Sequence, residues 1–191
     1  MEKKILQKNR GFTLVESLFA ILILTFTITG LMTILSNSLF SARYSKDEIT
    51  ASYLLQEVVD YVRNDRDATV FLGGSWNDFI GHYTKCLVAP GNEDGCYFDV
   101  NDLKDIKVDK ITSCEGNCPP LYYDEKATRG SFYNYNEKSL LDNDNLKTSF
   151  RRKIIIEQKP DEFKVTVTIS WKNGSLVLNR SLSTILMNWK K

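Results

Sequence analysis

From Phe12 to about Leu35 the chain is dominated by Phe, Leu, Val, Ile, Ala, Thr, Met and Gly, and Glu16 is its only formal charge. A helix of ~20 apolar residues, rising ~1.5 Å per residue, crosses the ~30 Å hydrocarbon core of a bilayer. This run is long enough to do so. Lys3, Lys4, Lys8 and Arg10 precede it, and a basic flank on that side keeps the N-terminus cytoplasmic and sends the remainder outward. A removable secretory signal usually has an apolar region of only ~7–15 residues, and no small-x-small cleavage site follows this longer one. A carboxylate inside such a span costs free energy unless something neutralises it. Glu16 at that position is therefore a candidate functional residue.

The rest of the composition narrows the class. A chain of 191 residues suits one modest domain with an appendage. Its formal charge of +1 gives no bulk field to hold nucleic acid. Beyond the leader the longest basic run is Arg151-Arg152-Lys153, inside a predicted strand, so no nucleic-acid partner is indicated. Cys86, Cys96, Cys114 and Cys118 all follow the apolar run, and an even count on the exported side favours disulfides. Three pairings are open; Cys86–Cys96 and Cys114–Cys118 are preferred because both close short loops. The same spacings lack the C-x2-C knuckles of a zinc site, so no metal or other cofactor is expected.

Past Leu35 the helical pattern continues. Residues 36–65 contain no proline or glycine, and Ala51, Leu54, Leu55, Val58, Val59 and Val62 form an apolar stripe at helical spacing. Lys46, Asp47, Glu48, Gln56, Glu57 and Arg63 occupy much of the other surface. One continuous helix is therefore expected, ~80 Å long from Phe12 to about Asp65, with Gly30 as its weak point and Gly73-Gly74 as the signal that ends it. Residues 75–149 are rich in turn signals, Pro90-Gly91-Asn92 and Pro119-Pro120 among them. Leu87-Val88 and Cys96–Val100 read as short strands there, and a stretch of this length is expected to hold further strands. Order returns near Phe150. Lys153–Glu157 and Phe163–Trp171 read as strands joined at Pro160-Asp161, and Asn173-Gly174 marks a hairpin back through Ser175 to about Leu186. The fold class is α+β: a long N-terminal helix, half membrane-embedded and half amphipathic, packed on a small antiparallel sheet.

The junction Gly11-Phe12-Thr13-Leu14-Val15-Glu16, behind a basic leader and ahead of a membrane-length run, closely resembles the N-terminus of type IV prepilins and pseudopilins. The resemblance implies that a membrane peptidase cuts between Gly11 and Phe12, that the new amine on Phe12 is methylated, and that Glu16 is the assembly acid paired with an adjacent subunit. Ala51–Asp67 is similar to the exposed helix of minor pilins of the PilV type, as is Val165–Trp171 with its following hairpin. Thr33 and Gly30 stand in a region where major pilins often carry a proline. The domains implied are a leader, 1–11; a membrane or filament-core helix, 12–35; its amphipathic continuation, 36–66; and an exported domain, 67–191, with a loop-rich region, 75–149, and a β-meander, 150–188.

The function implied is that of a minor type IV pilin or pseudopilin, a structural subunit and not an enzyme. Its partners are prepilin peptidase, other pilin subunits and the inner membrane, where it is stored as a single-pass protein before joining a periplasmic or extracellular filament. The alternative is a single-pass anchored binding protein that never polymerises. Catalysis would have to pass through His82, the only histidine, with Ser75, Asp78 and Cys86 near it in sequence. Asp142-Asn143-Asp144-Asn145 lacks the glycine and distal glutamate of a calcium loop and reads as a solvated turn. Trp76, Trp171 and Trp189 read as packing or rim residues.

Overall fold

The structure, a computed structural model, describes residues 11–88, 94–100, 110–124, 132–135 and 146–189. Lys3, Lys4, Lys8 and Arg10, the turn expected at Pro90-Gly91-Asn92, and Asp142–Asn145 lie outside them. Helix α1 covers Leu14–Phe71, and the chain divides between Lys46 and Asp47 into two compact units. With no proline and only Gly30 between its ends, nothing in the sequence breaks the helix.

In the first unit, every described residue from Gly11 to Arg43 is exposed. The hydroxyls of Ser17, Thr25, Thr27, Thr29 and Thr33 donate to carbonyls three or four residues back. In a bilayer each such group would otherwise need an external partner. The apolar run thus satisfies these hydroxyls by itself.

The second unit buries one stripe of α1: Ala51, Leu54, Leu55, Val58, Val59 and Val62, continued by Asp65 and Val70. The helix runs on past Asp65 to Phe71 and stops at the Gly73-Gly74 signal, with Gly73 at φ 88°. Three long strands face the stripe: β5 (Leu146–Gln158), β6 (Glu162–Asn173) and β7 (Leu176–Met187), paired antiparallel in sequence order. Phe163, Val165, Val167, Ile169 and Trp171 of β6 are buried with the stripe, joined by Phe150, Ile154 and Ile156 of β5. The middle of the outer face is polar, with Thr166 bonded to Ser183 and Thr168 to Ser181, while Val177 and Ile185 stand exposed toward its ends. Pro160 and Asp161 form the β5–β6 turn inside the Lys159–Glu162 backbone pair. In the next hairpin Asn173 pairs with Leu176, so the two loop residues are Gly174 and Ser175, one position later than the Asn-Gly signal suggests. Gly174 takes φ 62° there, the left-handed backbone such turns require.

The stretch expected to be loop-rich contains more order than its sequence announces. Helix α2 covers Trp76–His82, a 3-10 turn follows at Thr84–Cys86, and four short strands come next. These are β1 (Cys96–Tyr97), β2 (Thr112–Ser113), β3 (Pro120–Asp124) and β4 (Phe132–Asn134). β1 and β3 share the edge of β5 that β6 leaves free, β2 pairs with β1, and β4 with β3. The expected strand at Cys96–Val100 is thus only two residues long, and Leu87 makes a single parallel bridge to Ile156. Phe79, Ile80, Tyr83, Phe98, Ile111 and Leu121 from this stretch are buried in the core. Gly95 fixes its approach to β5: at φ 70°, a Cβ there would lie 2.6 Å from the Ile154 carbonyl oxygen.

Candidate functional site

Gly11, Phe12 and Thr13 precede the helix, and all three are exposed. Thr13 caps it: its Oγ1 accepts the Glu16 backbone N–H at 3.2 Å, and its carbonyl accepts the Ser17 N–H at 3.2 Å. Thr13-x-x-Glu16 is also the sequence pattern of a capping box, a signal that could have located the helix start. Glu16 stands in the first turn, where the amide dipoles favour a negative charge. Its carboxylate has no hydrogen bond or ion pair among the described residues. Nothing lies within 4 Å of a Cβ built on Gly11, and its backbone is not left-handed. Packing among the described residues does not require glycine there.

Beyond this junction α1 is long and apolar enough to cross a membrane, by length and composition. None of the most apolar window is buried. Leu14, Leu18, Phe19, Ile21, Phe26 and Leu31 are among the large side chains left uncovered. Such a surface needs lipid or other apolar helices around it.

The residues around His82 take other roles. His82 Nδ1 lies 3.1 Å from Asp65 Oδ2, with Asp65 only 2% exposed. Thr69 reaches the other carboxylate oxygen at 3.5 Å. Burial raises the Asp65 pKa, and the bond and charge from His82 oppose that rise. Burial, with the Asp65 charge beside it, also pushes the Tyr83 phenol well above its ordinary range. Ser75 and Asp78 form the capping box of α2: the Ser75 N–H donates to Asp78 Oδ2 at 2.7 Å, and the Asp78 N–H to Ser75 Oγ at 3.2 Å. The Ser75 bonds hold the Asp78 carboxyl below the usual range. Cys86 is bonded to Cys96, with Cα atoms 4.8 Å apart. His82 thus meets an acid that the sequence did not nominate, while the nearby hydroxyl, carboxylate and thiol are committed elsewhere. Asp65 continues the helical stripe of Ala51, Leu54, Leu55, Val58 and Val62, and an acid at that position was the available signal.

A second disulfide joins Cys114 to Cys118, also at a Cα separation of 4.8 Å. Arg152, read first as part of a basic run, lies on the inner face of β5 and is 1% exposed. Its Nη1 donates to Glu57 Oε2 of α1 at 2.6 Å, its Nη2 to the Phe98 carbonyl at 3.1 Å, and its guanidinium lies 5.7 Å from the centre of the Tyr135 ring. Through these contacts Arg152 ties α1, β5 and the segments of Phe98 and Tyr135 together. Among the described residues, no three His, Cys, Asp or Glu side chains come together as a metal site. Trp171 is buried, Trp76 packs on Phe79 and Phe163, and Trp189 is exposed.

Residues 6–32 match a family profile described as the prokaryotic N-terminal methylation motif. No curated protein and no solved structure matches the chain significantly. The motif and the long apolar helix together fit a type IV pilin-like, membrane-anchored subunit. The motif implies processing by a prepilin peptidase and pilin-type assembly in general, and it favours a structural subunit over an enzyme.

Proposed function

We propose that this chain is a minor type IV pilin or pseudopilin, of the PilV type, stored in the inner membrane and assembled into a pilus-like filament. The observation that carries this reading is the junction at Gly11–Glu16 in its setting. An exposed glycine with open space around it and an exposed phenylalanine lead into a capped helix whose first-turn acid, Glu16, has no partner among the described residues. In this reading residues 1–11 are the leader, residues 12–35 the membrane and filament-core helix, and residues 36–66 its amphipathic continuation. Residues 67–191 form the exported domain, stapled by Cys86, Cys96, Cys114 and Cys118.

Cleavage after Gly11 creates an amine on Phe12, and methylation leaves it basic, so it carries positive charge near neutral pH. Residues i and i+4 are neighbours on a helix, but Phe12 lies outside the helical ladder that begins at Leu14. A fixed pairing of the amine with Glu16 of the same chain is therefore not built in. The carboxylate is left for the amine of an adjacent subunit. Assembly exchanges lipid for other apolar helices around the 12–35 segment, so leaving the bilayer costs little net hydrophobic energy.

The test separates cleavage from assembly. Glu16→Ala is expected to be cut normally and to be missing from sheared filaments. Incorporation at the wild-type level would refute the pairing argument.

A further inference from the structure

A concavity of about 340 Å³ opens between the Cys114–Cys118 loop, β5 and the β6–β7 hairpin, with Pro120, Trp171 and Val177 as its apolar walls. Lys147, Arg151 and Lys172 line it together with Ser149, Ser170 and Asn117. No carboxylate lines it among the described residues. Arg151 stands directly opposite Ser170, and Lys147, Ser149 and Arg151 are exposed while Phe150 and Arg152 between and beside them are buried. The pairing with β3 shifts register between Lys147 and Arg151, which makes this part of β5 irregular. Lys172, two residues after Ser170, shares the side of Ser170.

Elsewhere on the sheet the lysines find acids: Lys164 pairs with Glu157 at 2.9 Å and Lys159 with Glu162 at 3.2 Å. Lys147, Arg151 and Lys172 have no ion-pair partner among the described residues, so three like charges face one hollow. Arg151 is also held in place. Its Nη1 donates to the Cys118 carbonyl at 2.5 Å, and Cys118 is tied to Cys114 by the disulfide that closes this small loop. A guanidinium anchored at one nitrogen keeps its other N–H groups for a ligand in fixed geometry.

We propose that this concavity is a binding site for a tetrahedral oxyanion, a phosphate or sulfate group, either free or carried on a sugar-sized molecule. Arg151 provides the oriented donors, Lys147 and Lys172 provide charge, and Ser149, Ser170 and Asn117 complete the ring of hydrogen-bonding groups. The volume is at the low end of the range of about 300–1,000 Å³ for small-molecule sites. That leaves room beyond the anion itself. The Cys114–Cys118 bond has a purpose in this account, because it holds the carbonyl that aims Arg151. The site does not depend on whether the chain polymerises.

The test is an amide chemical-shift titration of the full chain in detergent micelles, with sodium phosphate replacing sodium chloride at constant ionic strength. Saturable shifts are expected at Ser149, Arg151, Ser170 and Lys172. Lys147→Gln with Lys172→Gln should weaken binding by about tenfold or more, since hydrogen bonds to charged groups are the strong ones. Replacing Cys114 and Cys118 by serine together should weaken it several-fold without altering the shifts of the helix core. Glucose 6-phosphate serves as the second probe: tighter binding than inorganic phosphate assigns the remaining space to a sugar, and equal binding assigns the site to the free anion. Unsaturable shifts, shifts spread over lysines outside the concavity, or unchanged binding by the double lysine variant would each overturn the proposal.

Discussion

Removing Glu57 should cost the fold more than removing its partner Arg152, and the structure gives the reason. Arg152 is 1% exposed and its charge cannot return to water, whereas the Glu57 side chain is 30% exposed and can. In Glu57→Gln the guanidinium keeps the Phe98 carbonyl and the Tyr135 ring but loses its anion at 2.6 Å. Breaking a buried pair on one side costs about 3–5 kcal/mol. The part-exposed acid and the amide that replaces it place the expected loss near the lower end, about 3 kcal/mol. In Arg152→Met the apolar stem is roughly preserved and no buried charge remains. The main loss is the partner of the Phe98 carbonyl, worth about 1–2 kcal/mol. The double variant should be more stable than Glu57→Gln alone, because the orphaned charge is gone. At roughly 2–4 °C per kcal/mol for a chain of this size, Glu57→Gln should melt about 6–12 °C below the parent. Thermal unfolding of the full chain in detergent, followed by near-UV circular dichroism, measures the three variants together. Additive losses, or Arg152→Met as the least stable of the three, would refute the reasoning.

Two further outcomes test the packing around the newly assigned elements. Gly95→Ala should cost at least about 2 kcal/mol, because it adds a Cβ 2.6 Å from a carbonyl oxygen to a left-handed backbone. Gly116→Ala, with a similar φ of 76° and nothing within 4 Å, should cost only the conformational part, about 1 kcal/mol. Equal losses in urea unfolding would contradict the close approach of β1 to β5. The second outcome concerns Asp65, which faces His82 of α2, Thr69 and Tyr61 of α1, and Tyr83. Its folded pKa is raised above the usual 3.8 by burial, so between those two values the folded state holds more protons than the unfolded one. The contribution of Asp65 to stability should therefore fall as pH climbs above about 4. Relative to Asp65→Asn, the parent should lose ground between pH 4 and neutrality. A parent that gains on the variant over that interval would reverse the sign.

The helix and the long hairpins were legible because each repeats its pattern over many residues. The stripe from Ala51 to Val62 has six matching positions, and Phe163–Trp171 alternates without a fault. Short elements carry no such redundancy. Helix α2 has seven residues, and its clearest mark was the Ser75-x-x-Asp78 capping box. β1, β2 and β4 are two or three residues long and exist because a longer partner gives them backbone bonds. The hairpin signal Asn173-Gly174 identified the turn but misplaced its centre by one residue, since Gly174 supplies the positive φ at the first loop position. Arg152 was hidden in a basic triplet. Read by alternation against Phe150, Ile154 and Ile156, it falls on the apolar face, where a buried cation needs an acid. At the N-terminal site the residue types were readable and Thr13 as the helix cap was missed. Among the described residues no contact accounts for Gly11 and none pairs with Glu16, which is what requirements set by an external partner would leave.

The central claim concerns the fate of the bond between Gly11 and Phe12, and the mature N-terminus reports on it directly. Intact-mass and N-terminal peptide mass spectrometry on protein recovered from membranes that contain a prepilin peptidase should find a chain beginning at N-methylated Phe12. A chain that still begins at Met1, with the leader attached in the presence of the active peptidase, would contradict the account.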